Sequence, residues 1–373
     1  MAKALFITDE NFETNTGGVI YARNVISGLQ PLFDDLLVFS SSLESSEATF
    51  RKTEFNTYIS RVFLQSSPLI FSAQKILKLS KTVDNVYLHS SKHWFIALLL
   101  KCFGPPKKIF CISDNIEFDL MAYKLPLYKY APHNSKVCIE KCLRYLSEAV
   151  CFHLSDSVTF VTRADYLRSR QLYKTNFECT LLPIAVTNKK NSYHSACFCN
   201  LLFSGSFSFD PNIEAFNKLI SMYPLFKKLR VNVTIAGYNL DKLVEKNSCL
   251  SLTDVFNFYS SPSSSQMDDI FSSADLFVSP VSSGSGMKTK IAECLSYGLP
   301  CIASEKSVVG YEDISGRSNW LVVIDDEFDM FEETFMQFIN DEFLPNDFML
   351  LKDLHRKFYS LKNSEYILRG VSL

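Results

Sequence analysis

Short apolar runs alternate with longer two-faced ones along almost the whole chain. Ala4–Thr8, Leu36–Ser40, Val86–His89, Lys108–Ile112 and Ser157–Thr162 are predicted strands, and Cys179–Pro183 is the last of this first series. Apolar runs of this kind, without alternation, suit strands buried on both faces. Between them, Gly17-Gly18 opens a predicted helix over Val19–Leu29, Phe95–Phe103 predicts another, and Cys138–Leu154 a long amphipathic one. The polar stretch Thr187–Ser192 then reads as a linker. After it the pattern restarts, with strands expected at Leu201–Ser204, Val231–Ala236, Val255–Phe258, Leu276–Val278, Cys301–Ala303 and Leu321–Ile324. The helices of this second series are expected at Asn212–Met222, Gln266–Phe271, Thr289–Tyr297, Phe328–Ile339 and Phe348–Leu361.

Strands that alternate with helices imply crossover units and a parallel sheet. The expected fold is therefore α/β, with two Rossmann-like domains facing a central cleft. The divisions are 1–186, a linker at 187–199, a second domain at 200–345, and a C-terminal helix at 346–373 that crosses back to the first. In open parallel sheets ligands sit beyond the carboxyl ends of the strands, so each half should direct those ends at the cleft. No internal sequence repeat is visible.

Composition narrows the function classes. Hydrophobic residues make up 47% of the 373, charged ones 21%, and 32 are phenylalanine, so the chain is globular with sizeable cores. A formal net charge of -2 argues against nucleic-acid binding by bulk charge. The 11 cysteines form no C-x-x-C pair, and buried, reduced thiols in a cytoplasmic protein are expected. The start runs directly into a strand-like segment, with no signal peptide in view. The longest apolar run, near Trp94 to Leu100, falls far short of the ~20 residues of a membrane span. Trp94, Phe95, Lys101, Phe103, Lys107 and Lys108 mix aromatic and basic side chains, which suits either a membrane-surface face or an ordinary two-faced helix.

The chemistry gathers at Ser282-Ser283-Gly284-Ser285-Gly286-Met287-Lys288-Thr289-Lys290-Ile291-Ala292-Glu293. A strand leads into a glycine-rich turn and the turn into a helix, which presents backbone N–H groups at the positive helix end. Gly284 and Gly286 permit a tight turn near a diphosphate. Lys288 and Lys290 offer countercharge, and Glu293 can accept two hydrogen bonds from a ribose diol. A plain Gly/Ser loop with surface lysines fits the same local pattern.

Further residues decide more. Gly284-Ser285-Gly286-Met287-Lys288-Thr289-Lys290-Ile291-Ala292-Glu293, continuing to Gly298-Leu299-Pro300, resembles the donor-site signature of family 4 GT-B glycosyltransferases. Leu202-Phe203-Ser204-Gly205-Ser206 with Pro211-Asn212-Ile213-Glu214-Ala215 is similar to the same family's first donor-domain strand and the helix after it. Ser113-Asp114-Asn115-Ile116-Glu117, then Glu148 with Ser155-Asp156-Ser157-Val158, resembles segments of the N-terminal half. Gly17-Gly18 matches an N-terminal glycine pair.

The resemblance implies a GT-B enzyme that moves a hexose from a nucleotide-diphosphate sugar to a hydroxyl, retaining configuration and using no metal or other cofactor. Its N-terminal domain would take a saccharide or polyprenyl-linked acceptor, and its C-terminal domain the nucleotide sugar. Relatives that build lipopolysaccharide, capsule or exopolysaccharide suggest the same role, in the cytoplasm or peripherally at the inner face of the membrane. The implied donor site is Gly205, Ser206, Gly284, Ser285, Gly286, Met287, Lys288, Lys290 and Glu293. Gly17, Gly18 and Arg23 form the acceptor and phosphate loop, and Asp114 and Lys288 are the catalytic candidates.

The chain also departs from the family pattern. Ser285 stands where the first carboxylate of the usual Glu-x7-Glu pair would be. Ser206, Phe207 and Ser208 occupy the place of an Arg and a Lys, and Asp114 that of a histidine. Asp114 therefore either lines the site or caps the next helix, and Glu117 either lines it or complements the helix dipole. His89 and His93 are either rim or core residues. Glu148 reads as structural, and Phe256-Asn257-Phe258 either flanks a nucleobase or belongs to the core. Two rival readings are a sugar-nucleotide epimerase and a binding protein that kept the fold without turnover. An NAD-dependent oxidoreductase is disfavoured, because no Gly-x-Gly-x-x-Gly follows either opening strand.

Overall fold

A computed structural model describes residues 2–12, 17–40, 69–105, 107–124, 134–174, 178–190, 193, 198–247, 249–284 and 286–372. It divides into two compact units, Met1–Ile184 with Ser364–Leu373, and Ala185–Asn363.

The first unit runs β1 (Lys3–Ile7), α1 (Gly17–Leu29), β2 (Asp35–Phe39), α2 (Ala73–Ser80), β3 (Asn85–His89), α3 (Trp94–Phe103), β4 (Lys108–Ser113), α4 (Glu117–Lys124), α5 (Asn134–Leu154), β5 (Ser157–Phe160), α6 (Arg163–Tyr173) and β6 (Glu178–Leu181). Its sheet is parallel, in the order β2-β1-β3-β4-β5-β6. The winding reverses between β1 and β3, which makes the carboxyl ends of those two strands the switch point where a ligand is expected. Leu5, Ile7, Val86, Leu88, Cys111, Val158 and Phe160 pack with Ile76, Ile96 and Phe152 into its core.

The second unit runs β7 (Asn200–Ser204), α7 (Asp210–Ser221), α8 (Tyr223–Leu229), β8 (Asn232–Gly237), α9 (Leu240–Lys246), β9 (Phe256–Ser260), α10 (Ser264–Ser273), β10 (Leu276–Ser279), α11 (Thr289–Tyr297), β11 (Cys301–Ser304), β12 (Leu321–Ile324), α12 (Phe331–Asn340) and α13 (Pro345–Phe358). The strand order β12-β11-β10-β7-β8-β9, again parallel, places the switch point between β7 and β10. A final helix, α14 (Leu361–Ser372), follows. From Ser364 onward the chain belongs to the first unit. There the Ser372 hydroxyl meets the Tyr87 hydroxyl at 2.6 Å. A Cβ on Gly28 would lie 2.8 Å from Leu368, so that glycine makes room for the last helix against α1.

The expected elements are present, with three instructive differences. The helix expected from Phe328 begins at Phe331, because Phe328 has φ +64°, a left-handed conformation that a helix cannot continue. The helix expected over Phe348–Leu361 stops at Phe358. There the Tyr359 carbonyl accepts from Val186 N–H at 2.8 Å, and Ser360 bridges to Val186. The cysteines also divide. Cys111, Cys151, Cys294 and Cys301 are buried as expected, but Cys102, Cys138, Cys142 and Cys199 are exposed. Among the described residues no helix is long and apolar enough to cross a membrane.

Candidate functional site

In the second unit two turns leave the sheet side by side at the switch point. The first follows β7, where Gly205 N–H donates to Ala236 O and Phe207 N–H to Tyr238 O, at 3.1 and 2.9 Å. Gly237, at φ +151°, lies against the Gly205 backbone so closely that a Cβ there would sit 2.8 Å from its carbonyl carbon. The second turn follows β10. Its start is held by buried hydroxyls: Ser304 Oγ donates to Val281 O at 2.6 Å, and Val281 N–H donates to Ser307 Oγ at 3.3 Å. Gly284 and Gly286 both take positive φ, +87° and +71°, as the tight turn requires. A Cβ on Gly284 would lie 3.0 Å from Pro211, and Ser283 Oγ donates to Glu214, so the glycine turn rests on the first turn of α7. Ser285 lies outside the described residues.

Tyr311 ties down the start of α11. Its hydroxyl donates to Lys288 O at 2.7 Å and accepts from Ala292 N–H at 2.9 Å. Tyr311 carries no local sequence signal, since it comes from a loop about twenty residues downstream. Met287 is buried at the turn.

The two lysines play different parts. Lys288 Nζ donates to Gly286 O at 3.2 Å, beside the glycine turn. Lys290 is turned inward: its Nζ donates to Asn212 Oδ1 at 2.6 Å and lies 4.5 Å from the Phe203 ring centre. Asn212 Nδ2 in turn donates to Ser206 O at 2.8 Å. Lys290 thus reaches the Gly205-Ser206 turn from beneath, through Asn212. Burial pulls its ammonium down to about 7, with Lys288 adding to the shift and Glu293 opposing it.

Glu293 lies one turn into α11 and is half-buried. Burial pushes its carboxyl up to about 7, against Lys189 and Lys290 and with Asp268. Asp268 accepts from Lys189 Nζ at 2.7 Å and from the Tyr297 hydroxyl. Lys189, read from the sequence only as part of a polar linker, is therefore a neighbour of this group. Phe256 packs with Phe226 and Phe258 on the outermost strand, β9, and is buried.

The first unit gathers polar side chains at its own switch point. Gly17 and Gly18 begin α1, and a Cβ on Gly18 would collide with the Glu10 carboxylate. Arg23, on the exposed side of α1, donates to Phe12 O. His89 closes β3, stacked on Phe6 at 5.8 Å, with Nδ1 3.0 Å from Thr8 Oγ1. His93 pairs with Asp9 at 3.5 Å. Burial raises the Asp9 carboxyl, but His93 and Lys92 outweigh it and hold Asp9 well below the usual carboxylate range. Asp114 follows β4, and its Oδ1 is buried with no hydrogen-bond partner among the described residues. Glu117 begins α4, between Lys92 Nζ at 3.1 Å and Arg144 Nη1 at 3.3 Å. Among the described residues no group of three or more His, Cys, Asp or Glu side chains is arranged to hold a metal ion.

Residues 199–341 match a family model described as glycosyl transferases group 1. A search of curated proteins finds no match. Solved structures match over the whole chain. Sucrose-phosphate synthase from Thermosynechococcus elongatus aligns with a TM-score of 0.71 at 12% identity, covering 100% of this chain and 98% of that one. Anabaena Alr3699/HepE in complex with UDP-glucose gives a TM-score of 0.67 at 12% identity, with both chains covered completely. The lipopolysaccharide outer core galactosyltransferase WaaB, in its apo form, gives 0.60 at 12% identity, with 99% of each chain covered. At such identities these likenesses establish the fold, and the family match covers the second unit's sheet and turns.

Proposed function

We infer that this chain, a group 1 glycosyltransferase with the GT-B fold, moves a hexose from a nucleotide-diphosphate sugar to a hydroxyl of a saccharide or polyprenyl-linked acceptor. The observation that carries the reading is the pairing of two turns at one switch point: Gly205-Ser206 over Asn212 and Lys290, and Gly284–Lys288 leading into α11 with Glu293. The second unit would take the donor. Thr289 and Lys290 open α11 with backbone N–H groups suited to a phosphate, and Lys288, whose Nζ lies beside the glycine turn, would supply a cation. Glu293 would accept the ribose hydroxyls. A diphosphate leaving group stabilised in this way, by helix ends and an ammonium, needs no metal. Retention of configuration and a place in bacterial surface-polysaccharide synthesis complete the proposal. Support for retention is the family resemblance, and support for the surface-polysaccharide role is that resemblance together with the fold shared with the lipopolysaccharide galactosyltransferase WaaB.

The first unit would contribute the acceptor side, through Asp114 and the start of α1. Phe103, 74% exposed and followed by Lys107 and Lys108, supports peripheral contact with an anionic membrane surface. Flotation with anionic vesicles tests this, and equal recovery of the wild type and Phe103→Ser would remove it.

The first experiment is a thermal-shift screen of nucleotide sugars, since a ligand at about 100 times its dissociation constant adds roughly 2.7 kcal/mol of stability. The best donor is then offered with saccharide and lipid-linked acceptors. Conversion of the donor without any acceptor would favour an epimerase. Binding without transfer or slow hydrolysis would favour a protein that kept the fold alone.

A further inference from the structure

Glu148, on the long helix α5, is completely buried, and both of its carboxylate oxygens are occupied from other elements. Oε1 accepts from Glu117 N–H at 2.9 Å and Ser91 Oγ at 3.2 Å. Oε2 accepts from Phe118 N–H at 2.8 Å and the Tyr173 hydroxyl at 2.6 Å. A buried carboxylate is costly unless its lone pairs are satisfied, and four donors do so here. Burial still pushes the group up to about 7.

The donors are not scattered. Glu117 and Phe118 supply two of the free N–H groups at the start of α4, which ends the connection Asp114-Asn115-Ile116. Ser91 belongs to the connection that leaves β3 and carries Lys92 and His93. β3 and β4 are adjacent, with His89 level with Ile112, and Ser90 N–H donates to Ile112 O at 2.8 Å. One carboxylate therefore fastens both connections that leave the sheet at the carboxyl ends of β3 and β4. Around it, Glu117 draws in Lys92 and Arg144. Asp114 itself has a buried oxygen with no hydrogen-bond partner among the described residues. Its place is set by the turn on either side of it. Ser113 Oγ holds that turn to Asn115 O at 2.8 Å, and Glu148 holds its far end.

We propose that Glu148 is a positioning residue for the transfer reaction: it fixes the Asp114 turn and the Ser91–His93 connection in the geometry that the acceptor-side chemistry needs. This rests on the reading of the first unit as the acceptor side. Glu148 touches no substrate and acts through Asp114.

The test uses Glu148→Gln in the full chain. Glutamine keeps one acceptor oxygen but turns an amide N–H toward donors, so the grip on at least one backbone N–H is lost. The expected result is amide exchange at Glu117 and Phe118 faster by about tenfold or more. Alongside it, kcat for transfer should fall by about tenfold, with the donor's dissociation constant unchanged. If Glu148 acts through Asp114, adding Glu148→Gln to Asp114→Ala should cost little further in kcat. A general loss of packing would add its full effect and also lower donor binding.

Should Glu148→Gln fail to fold, Tyr173→Phe and Ser91→Ala each remove one donor and carry the same measurements with smaller effects. Faster exchange with unchanged kcat would overturn the proposal, as would additivity with Asp114→Ala. Unchanged exchange would overturn its geometric basis. If the wild type transfers no sugar from any donor, the acceptor-side reading fails, and the proposal that rests on it falls as well. The exchange rates would still report whether Glu148 holds the turn.

Discussion

Lowering the pH from 8 to 6 should weaken nucleotide-sugar binding about tenfold, through Glu293. The carboxyl sits on α11 with its titration pushed up to about 7 by burial, against Lys189 and Lys290. A ribose diol donates two hydrogen bonds, and only the ionised carboxylate offers an acceptor to each without a competing O–H. With its midpoint near 7, the group is about nine-tenths ionised at pH 8 and about one-tenth at pH 6. If donor binding requires the carboxylate, the affinity ratio is about ten, or about 1.4 kcal/mol.

The sign is diagnostic because Lys290, in the same helix turn, also titrates near 7 and in the opposite sense. Were its ammonium the countercharge of the diphosphate, acid would strengthen binding. Its Nζ is instead held by Asn212 Oδ1 at 2.6 Å over the Phe203 ring, so the rise with pH should prevail. Calorimetry at pH 6, 7 and 8 and constant ionic strength measures this, with the donor that gives the largest thermal shift. Glu293→Gln should bind weakly and without pH dependence. Equal affinity at pH 6 and 8, tighter binding at pH 6, or an unchanged slope in Glu293→Gln would each refute the ribose role.

Other predictions concern the frame around that group. Glu293→Ala should raise the donor's dissociation constant about tenfold or more, and unchanged binding in the same calorimeter would remove its role. Gly237→Ala forces a side chain onto the Gly205 backbone at a φ of +151°, and should cost about 3 kcal/mol or more in chemical denaturation. A cost below about 1 kcal/mol would mean that Gly237 is not packed against the Gly205 backbone as described. Lys290 binds fewer protons folded than unfolded between about 7 and its ordinary 10.5, so stability should rise with pH across that window. Lys290→Met should flatten the rise, and a parallel pH dependence in the variant would show that the buried ammonium is not its source.

What the sequence made legible follows from which forces are local. The strands stand out because they are apolar on both faces, and the start and end of α11 match the expected Thr289 and Tyr297, since a glycine turn precedes it and Gly298, at φ +70°, ends it. Helix α6, Arg163–Tyr173, escaped notice because its sequence is dominated by charged and polar residues. Its start is set instead by Thr162, whose hydroxyl accepts from Asp165 N–H at 3.0 Å. The break after Phe358 was invisible for another reason, since its cause is the pairing of Ser360 with Val186, far away in the chain.

The site shows the same division. Glycines, Lys288, Lys290 and Glu293 could be picked out by type and spacing, but not the assignment of roles among them. Lys288 and Lys290 are two residues apart, so they project from different sides of the chain as it enters α11. Both are buried, and which one reaches under the Gly205-Ser206 turn depends on Asn212 and Phe203, supplied by a helix and a strand some eighty residues earlier. Glu148 stands in a segment that carries the family resemblance, but nothing in the sequence gave its role, because its four donors come from a β3 connection, the start of α4 and the end of α6. A carboxylate that serves three other elements is legible only once those elements are placed. Its effect should then reach the chemistry through the Asp114 turn, since two of the four donors are backbone N–H groups at the far end of that turn.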